Sequence, residues 1–173
     1  MIYLSARMSR QAEIRDVRGV LKYFVKVKSR WLDEEPPADF ASVAHLIAFR
    51  DIVDIDDCDT LVRFSDDLSA GVAVPATWAT GGRMWETGYA HARGKRIIIV
   101  GGHQTVFDYL PNVEHVKNVE ELIKCVNSSN TSDAGVLAVL QHARQLCQQS
   151  PESEKSSPSR PGFLTTFRTR WWQ

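Results

Sequence analysis

The sequence lacks the features that mark several specialised classes of protein. It has only three cysteines in 173 residues and no CxxC pattern, so we expect neither a disulfide framework nor a zinc site, and a reducing compartment fits best. No apolar run approaches the roughly 18 residues of a membrane span, and no secretory signal is visible. The 21 basic and 21 acidic side chains balance, which argues against a dedicated nucleic-acid-binding protein. We therefore expect a cytoplasmic globular protein without a membrane or nucleic-acid partner.

The hydrophobic content is sufficient for a globular core, since 43% of the residues are apolar and the length fits one ordinary domain. The charges, however, are unevenly distributed. Residues 1–31 carry a net charge of +6, whereas residues 33–67 carry −9. Two complementary faces within one domain would explain this pattern, and so would a binding site built between a basic element and an acidic one.

Strand patterns and helix patterns alternate along the chain. Strands are predicted at 2–4, 25–28, 60–64, 96–100 and 113–116, and helices at about 10–22, 40–57, 84–93, 119–126 and 133–148. Ser9 and Asp39 are candidate N-caps of the first two helices. Such alternation predicts a doubly wound α/β domain over residues 1–149, with about five parallel strands and helices on both faces of the sheet. Residues 150–173 are Ser/Pro-rich and are predicted to be a disordered tail.

Ligands of open α/β sheets bind at the carboxyl ends of the strands. Three segments occupy such positions, at residues 5–9, 65–86 and 101–105. In the first, Arg7 and the backbone amides of a helix start would suit a phosphate, although an ordinary structural turn is the alternative.

The second segment contains a candidate nucleophile. Gly81 and Gly82 are predicted to form a turn that lets the backbone approach a ligand, directly before a helix whose first turn holds Glu86. The helix dipole would then favour the ionised carboxylate, which can attack an electrophilic carbon. The alternative is a glutamate that merely complements the dipole. Gly88 and Ala92, four residues apart, predict close packing of this helix on the sheet.

A second carboxylate stands out in the acidic helix. Asp51 interrupts a row of apolar residues spaced four apart, which are Val43, Ile47 and Ile55. A carboxylate on a buried stripe needs a partner or a ligand, so either a salt bridge to an arginine or a functional role would account for it. Neither His91 nor His103 has the spacing of a metal ligand, and no metal or other cofactor is expected.

Taken together, these residues resemble a known family, the nucleoside 2-deoxyribosyltransferase superfamily, which includes deoxynucleoside 5′-monophosphate N-glycosidases. The resemblance covers residues 1 to about 125. It is carried by Tyr3 in the first strand, Asp51 and Asp59 eight apart ahead of a strand, the Gly-Gly-x-x-x-Glu-x-Gly-Tyr-Ala segment from Gly81 to Ala90, and Gly94-Lys95 before an apolar strand.

The resemblance implies a flavodoxin-like domain that cleaves an N-glycosidic bond. Glu86 matches the nucleophile of the superfamily, and Asp51 matches an acid that orients or protonates the leaving base. Tyr3, Ser5 and Arg7 match the part of the pocket that binds substrate. The sugar would then pass to a second base or to water, as in a retaining glycosidase. The resemblance also implies a homodimer or a larger homo-oligomer.

One position departs from the pattern of the transferases, which usually carry an acid six residues before the nucleophile. Here that position is Thr80. A neutral hydroxyl beside Arg7 and the amides of Gly81 and Gly82 tolerates a phosphate better than a carboxylate would, so these residues join the predicted substrate-binding set. We therefore expect a nucleoside or nucleotide as substrate. The alternative function is a nucleotide-binding sensor or adaptor on the same fold, without turnover.

Overall fold

A computed structural model of the protein describes residues 1–35, 39–66 and 81–127. The strands are β1 (Ile2–Ser5), β2 (Thr60–Phe64), β3 (Arg96–Val100) and β4 (Val113–Val116). The α-helices are α1 (Gln11–Leu21), α2 (Phe40–Asp57), α3 (Gly81–Ala92) and α4 (Val119–Asn127). Helix α4 belongs to a second unit that begins at Asn118. The predicted helix at 133–148 and the predicted tail lie outside the described residues, so the boundary at residue 149 stays a prediction.

The four strands form one parallel sheet in the order β1-β2-β3-β4. Every residue of β2 is buried, and so are the four residues 97–100 of β3. Continuous apolar strands of this kind are typical of parallel sheets covered on both faces. The predicted α/β class with a parallel sheet is confirmed. None of the helices in the described ranges is long and apolar enough to cross a membrane.

Within the described residues the sheet has four strands rather than the expected five, because the segment 25–28 forms only an isolated parallel bridge to Ile2. The backbone N–H and C=O of Ile2 each make a 2.9 Å hydrogen bond with that segment. Farther along, side chains take over the edge of β1: the hydroxyl of Ser29 accepts from the N–H of Leu4 at 2.7 Å, and the indole of Trp31 donates to the carbonyl of Leu4 at 2.8 Å. The strand pairing therefore ends after one residue, although the N–H and C=O of Leu4 at the edge of β1 still have hydrogen-bond partners.

Helices cover both faces of the sheet. Tyr3 and Ser5 point to the face on which α3 lies, because both side chains reach Glu86 of α3. Phe64 points to the other face, since its neighbour Arg63 is in register with Ser5 and successive side chains of a strand alternate. The guanidinium of Arg10, which immediately precedes α1, lies over the Phe64 ring at 5.8 Å, which places the start of α1 on that opposite face.

Two of the predicted helix starts are wrong. Helix α1 follows a 3-10 turn at Met8–Arg10, and its N-cap is Arg10 rather than Ser9, with no side-chain cap. Helix α3 includes Gly81 and Gly82 in its first turn, so the two glycines do not form a separate turn before it. Glycine is a poor helix former, which is why the pair was expected in a turn. Asp39 does cap α2, as predicted, by accepting from the N–H of Ser42 at 3.4 Å.

The predicted close packing of α3 through small residues is also wrong. Gly88 and Ala92 are exposed, and a Cβ added at Gly88 would meet no atom within 4 Å. The side of α3 that is buried instead carries Arg83 and Ala90.

The basic and acidic segments of the sequence pair with each other inside the domain. The ion pairs that join them are Arg18–Asp33 at 2.5 Å, Lys28–Asp57, Arg30–Asp54 at 2.8 Å and Arg7–Asp66 at 2.7 Å. Arg18–Asp33 and Lys28–Asp57 lie on the surface, Arg30–Asp54 has a buried carboxylate, and Arg7–Asp66 lies at the carboxyl end of the sheet. Ion pairs within the domain therefore explain most of the charge segregation. Only the Arg7–Asp66 pair among the four lies at the predicted ligand-binding edge of the sheet.

Candidate functional site

Glu86 occupies the sheet-facing side of α3, directly above the end of β1. The hydroxyl of Tyr3 donates to Glu86 Oε1 at 3.1 Å, and the hydroxyl of Ser5 donates to Oε2 at 2.5 Å. Tyr3 and Ser5 are two residues apart in a strand, so both side chains project from the same face of the sheet. Each carboxylate oxygen of Glu86 is therefore held by one hydroxyl of β1, and the orientation of the group is fixed.

The electrostatic setting of Glu86 differs from the expectation. No acidic residue lies in the first turn of α3, and the influence of the helix dipole falls off beyond that turn. Burial raises the pKa of Glu86 above its ordinary value, while the hydrogen bonds from Ser5 and Tyr3 act in the opposite direction. The two hydroxyls, rather than the helix dipole, thus stabilise the ionised carboxylate.

Asp51 of α2 contributes a second carboxyl group to the same place. Its Oδ1 is buried and has no hydrogen-bond partner in the part of the chain that the structure describes. Burial, followed by the negative charge of Glu86, raises the pKa of Asp51 to about 7, although the positive charge of Arg50 opposes the shift. The charge of Glu86 is therefore near enough to Asp51 to contribute to this shift, and Asp51 is half protonated near neutral pH.

Tyr3 links these two acids. Its side chain is fully buried, and burial, then the charges of Glu86 and Asp51, hold the pKa of its phenol well above the ordinary value. Tyr3 therefore stays a hydrogen-bond donor at any physiological pH. The structure thus brings together four of the predicted site residues from three elements, namely Tyr3, Ser5, Asp51 and Glu86.

A cluster of charges that includes Arg7 lies next to this group. Arg7 Nε is 2.7 Å from Oδ2 of Asp66, and Arg83 Nη2 donates to the same oxygen. Burial alone would raise the pKa of Asp66, but the hydrogen bond and charge of Arg83, with the charge of Arg7, lower it below the ordinary value. Sequence analysis missed Arg83 and Asp66. The available signal was that Arg83 precedes Glu86 by three residues, which places both on one side of a helix.

The loop after β3 supports the end of β2, next to Asp66. Gly101 has a φ of +101°, and a Cβ there would lie 3.2 Å from Ser65 Cβ, so only glycine fits this approach. The Ser65 hydroxyl donates to the carbonyl of Gly102 at 2.6 Å. Farther along the loop, the carboxylate of Asp108 accepts from Arg63 Nη2 of β2. Both side chains are buried, with 2% of Asp108 and 1% of Arg63 exposed. The end of β2 that carries Asp66 is therefore rigidly supported.

The structure does not bring the remaining predicted residues into hydrogen-bond contact with the Glu86 carboxylate within the described part of the chain. Gly81 and Gly82 are exposed in the first turn of α3, and Thr80 lies outside the described residues. Asp59, which belonged to the resemblance, is exposed and pairs with the Met1 amino group at 2.9 Å, at the amino end of the sheet. His103 stacks with Tyr109 and His115. Within residues 1–35, 39–66 and 81–127, no group of three His, Cys, Asp or Glu side chains could hold a metal ion.

Comparisons with known proteins give likenesses to solved structures. No protein-family model matches the sequence, and no curated protein matches it. Among solved structures, the CMP N-glycosidase BcmB of Clostridium botulinum is similar, with a TM-score of 0.46 and 17% sequence identity over 73% of this chain and 98% of that chain. A likeness of this size does not determine the reaction, because one fold hosts many functions. The function must be argued from the site itself.

Proposed function

We propose that this protein cleaves the N-glycosidic bond of 2′-deoxynucleosides or of their 5′-monophosphates. The observation that carries this proposal is the pairing of two carboxyl groups with different surroundings. Tyr3 and Ser5 each donate a hydrogen bond to Glu86, whereas Asp51 has a buried oxygen without a partner among the described residues and a pKa raised to about 7. A hydrogen-bonded carboxylate beside a carboxyl group that is protonated near neutral pH is the usual equipment for acid-assisted cleavage of a glycosidic bond.

Glu86 is the proposed nucleophile. One carboxylate oxygen would bond to the anomeric carbon of the sugar as the bond from that carbon to the base nitrogen breaks, which leaves a deoxyribosyl ester on Glu86. The hydroxyls of Tyr3 and Ser5 fix the direction of attack, because each of them holds one oxygen of the carboxylate. The fixed orientation reduces the entropic cost of reaching the transition state.

Asp51 is the proposed general acid. The electron pair of the breaking bond goes to the base, which becomes a far better leaving group if a proton arrives at the same time. The protonated form of Asp51 is populated near neutral pH, and its buried Oδ1 has no acceptor or donor within the described residues. A leaving base would supply the missing partner.

The second half of the reaction decides the class of enzyme. If water attacks the deoxyribosyl ester, the protein is a hydrolase, and if a second base attacks it, the protein is a transferase. In both cases Asp51, deprotonated by the first step, would act as the base that receives a proton from the incoming group. The resemblance to the nucleoside 2-deoxyribosyltransferase superfamily supports either outcome, since the superfamily includes both kinds of enzyme.

The test is release of free base. The purified protein is incubated with each deoxynucleoside and each deoxynucleoside 5′-monophosphate, with and without an acceptor base, and the products are separated by chromatography. We expect Glu86→Gln to reduce base release at least about a thousandfold, because it removes the nucleophile. Asp56→Asn is the matched control, since Asp56 lies on α2 but bonds Tyr89 and Arg93, outside the site.

Three outcomes separate the alternatives. Release in water alone identifies a hydrolase, and release that requires an acceptor base identifies a transferase. Stoichiometric binding of an intact nucleotide without release would overturn the proposal in favour of a nucleotide-binding sensor. Rapid quenching followed by mass spectrometry would detect the ester on Glu86, and wild-type turnover by Glu86→Gln would show that another residue is the nucleophile.

A further inference from the structure

Two arginines lie near Asp51, and each of them is bound to a different acid. Arg30 Nε donates to Asp54 at 2.8 Å. Nη2 of Arg50, the residue that precedes Asp51 in α2, donates to the carboxylate of Glu34. The charges of both arginines interact with the Asp51 carboxyl group. Asp51 therefore lies near two positive charges that other carboxylates already hold.

Arg50 and Asp51 each keep a buried polar atom without a partner. Nε of Arg50 and Oδ1 of Asp51 are both buried, and neither has a hydrogen-bond partner among the described residues. A hydrogen bond between the two side chains would satisfy a donor and an acceptor whose isolation is costly. The guanidinium is bonded to Glu34 instead. The structure thus leaves an ion pair unmade at the proposed general acid.

The backbone that carries Glu34 is fixed by α1. The side-chain amide of Gln11, the first residue of that helix, donates to the carbonyls of Trp31 and Glu34 at 2.6 and 2.7 Å. The N–H of Glu34 also donates to the carbonyl of Trp31 at 3.5 Å. The carboxylate of Glu34 therefore meets Arg50 from a fixed backbone position.

Glu34 and Arg50 have opposite effects on the charge of Asp51. Burial and then the charge of Glu86 raise the pKa of Asp51, the charge of Arg50 lowers it, and the charge of Glu34 raises it. The titratable groups that act on Asp51 come from β1, α3, α2 itself and the segment before α2, and they are Tyr3, Glu86, Arg50, Asp54, Arg30 and Glu34. A direct ion pair with Arg50 would ionise Asp51 and remove the proton that a general acid must carry.

We propose that Glu34 is a positioning residue for Asp51. Glu34 holds the Arg50 guanidinium in an ion pair of its own and so prevents Arg50 from bonding Asp51, which stays able to deliver a proton to the leaving base. The proposal rests on the proposed N-glycosidic cleavage and names the residue that keeps its general acid protonated. In this role Glu34 has no contact with the substrate and acts through Arg50.

The first experiment measures the pH dependence of kcat/KM for base release, because its upper limb reports loss of the proton from the essential acid of the free enzyme. Glu34→Gln should move this limb to lower pH by about one unit, since the released Arg50 favours the ionised form of Asp51. At pH 7 the value should fall about fivefold, and the ratio of variant to wild type should approach one as the pH is lowered. Asp33→Asn is the matched control and should leave the limb unchanged, because the neighbouring Asp33 is exposed and pairs with Arg18.

A double substitution tests whether Glu34 acts through Arg50. Arg50→Gln should move the upper limb to higher pH, because it removes the positive charge that favours ionised Asp51. With Arg50→Gln in place, Glu34→Gln should lose most of its effect, and the four pH profiles give the coupling between the two residues. Equal shifts by Glu34→Gln with and without Arg50 would overturn the proposal. If Glu34→Gln does not fold, Arg50→Gln keeps the proposal testable, since an unmoved limb would contradict it.

The second experiment titrates the Asp51 carboxyl group in the absence of substrate. Carbon-13 NMR of the full chain follows the side-chain carboxyl resonance, which is assigned by its absence from Asp51→Asn. The midpoint should fall from about 7 in the wild type by about one unit in Glu34→Gln. A loss of kcat/KM that is equal at every pH, without a change in this midpoint, would show that Glu34 has only a structural role.

The two experiments separate this proposal from the proposed function. If the Asp51 midpoint falls in Glu34→Gln but no variant or wild type releases base, the control of Asp51 by Glu34 stands and the glycosidic cleavage is wrong. If base is released and neither the midpoint nor the pH profile responds to Glu34→Gln, the cleavage stands and the positioning role is overturned.

Discussion

Asp51 and Asp54 lie three residues apart on α2, but their carboxyl groups have opposite surroundings. Asp54 is completely buried and accepts from both the backbone N–H and the Nε of Arg30, at 2.9 and 2.8 Å, with Lys28 at 3.7 Å. Asp51 is less deeply buried, its Oδ1 has no hydrogen-bond partner among the described residues, and burial with the negative charge of Glu86 raises its pKa. The more deeply buried of the two aspartates is therefore the one whose carboxylate oxygens both have partners.

This contrast separates a structural carboxylate from a candidate functional one. A buried charge with a complete set of partners, like that of Asp54, joins α2 to the segment that contains Arg30, and its role is structural. A partly buried group that lacks a partner and lies beside a like charge raises the energy of the folded protein, and such groups concentrate at functional sites. Depth of burial alone would have selected Asp54 as the candidate.

The largest effect expected from testing this contrast is on catalysis by Asp51→Asn. The amide cannot donate the proton that the leaving base requires, so kcat should fall by about a hundredfold to ten-thousandfold, the usual contribution of a general acid. The measurement is the steady-state rate of base release at pH 6 and pH 7. A substrate with a base that leaves without protonation should be affected much less. A normal rate with every substrate would make Asp51 a structural residue.

A smaller effect, on stability, is expected for Asp54→Asn. The substitution weakens the hydrogen bonds to Arg30 and leaves a buried amide in place of an ion, which should cost about 1–3 kcal/mol of unfolding free energy. Urea unfolding monitored by circular dichroism gives the value. Asp51→Asn should be neutral or stabilising in the same measurement, because it removes a charge that repels Glu86. Equal destabilisation by the two substitutions would contradict the contrast.

A third effect is the part of the pH dependence of stability that comes from Asp51. Its pKa is about 7 in the folded protein and 3.8 in a model compound, so the folded state holds the proton longer than the unfolded state does. The contribution of Asp51 to the free energy of unfolding is fully present below pH 4 and is lost as the pH rises through 7. The loss is at most about 4 kcal/mol and is smaller where solvent screens the charge. The difference between wild type and Asp51→Asn, followed by urea unfolding from pH 4 to 8, should show this loss. A difference that does not change with pH would show that the Asp51 pKa is unshifted.

Much of the fold could be predicted because local patterns determine it. The apolar run at 96–100 is a strand at its predicted limits, and so is the segment at 60–64, since continuous apolar residues of this length are typical of buried parallel strands. The segment 25–28 alternates apolar and basic residues, which also predicts a strand, but it forms only one bridge. What ended its pairing was the side chains of Ser29 and Trp31 bonding to β1, and no local pattern reports such a contact.

The candidate site was predictable in part. Glu86 and Asp51 were identified because each departs from the pattern around it, one beside two glycines and the other in an apolar row. Arg83 and Asp66 were not, since an arginine near a helix start and an aspartate after a strand are common on surfaces. These residues became candidates only because the tertiary structure shows that the Arg83 guanidinium is buried and that it shares one oxygen of Asp66 with Arg7. The homo-oligomer and the cytoplasmic location stay predictions.

The sequence by itself determined a parallel α/β sheet and placed candidate residues at the carboxyl ends of its strands, because hydrophobic periodicity fixes both the elements and their order. Only the tertiary structure decided which polar groups meet. The hydrogen bond from Tyr3 to Glu86 joins residues 83 positions apart, and its existence depends on the rotation of α3 over β1. Tertiary packing likewise leaves Asp51 Oδ1 without a hydrogen-bond partner among the described residues and buries Arg83, because side-chain pairing across elements follows from packing geometry rather than from the residues nearby in the chain.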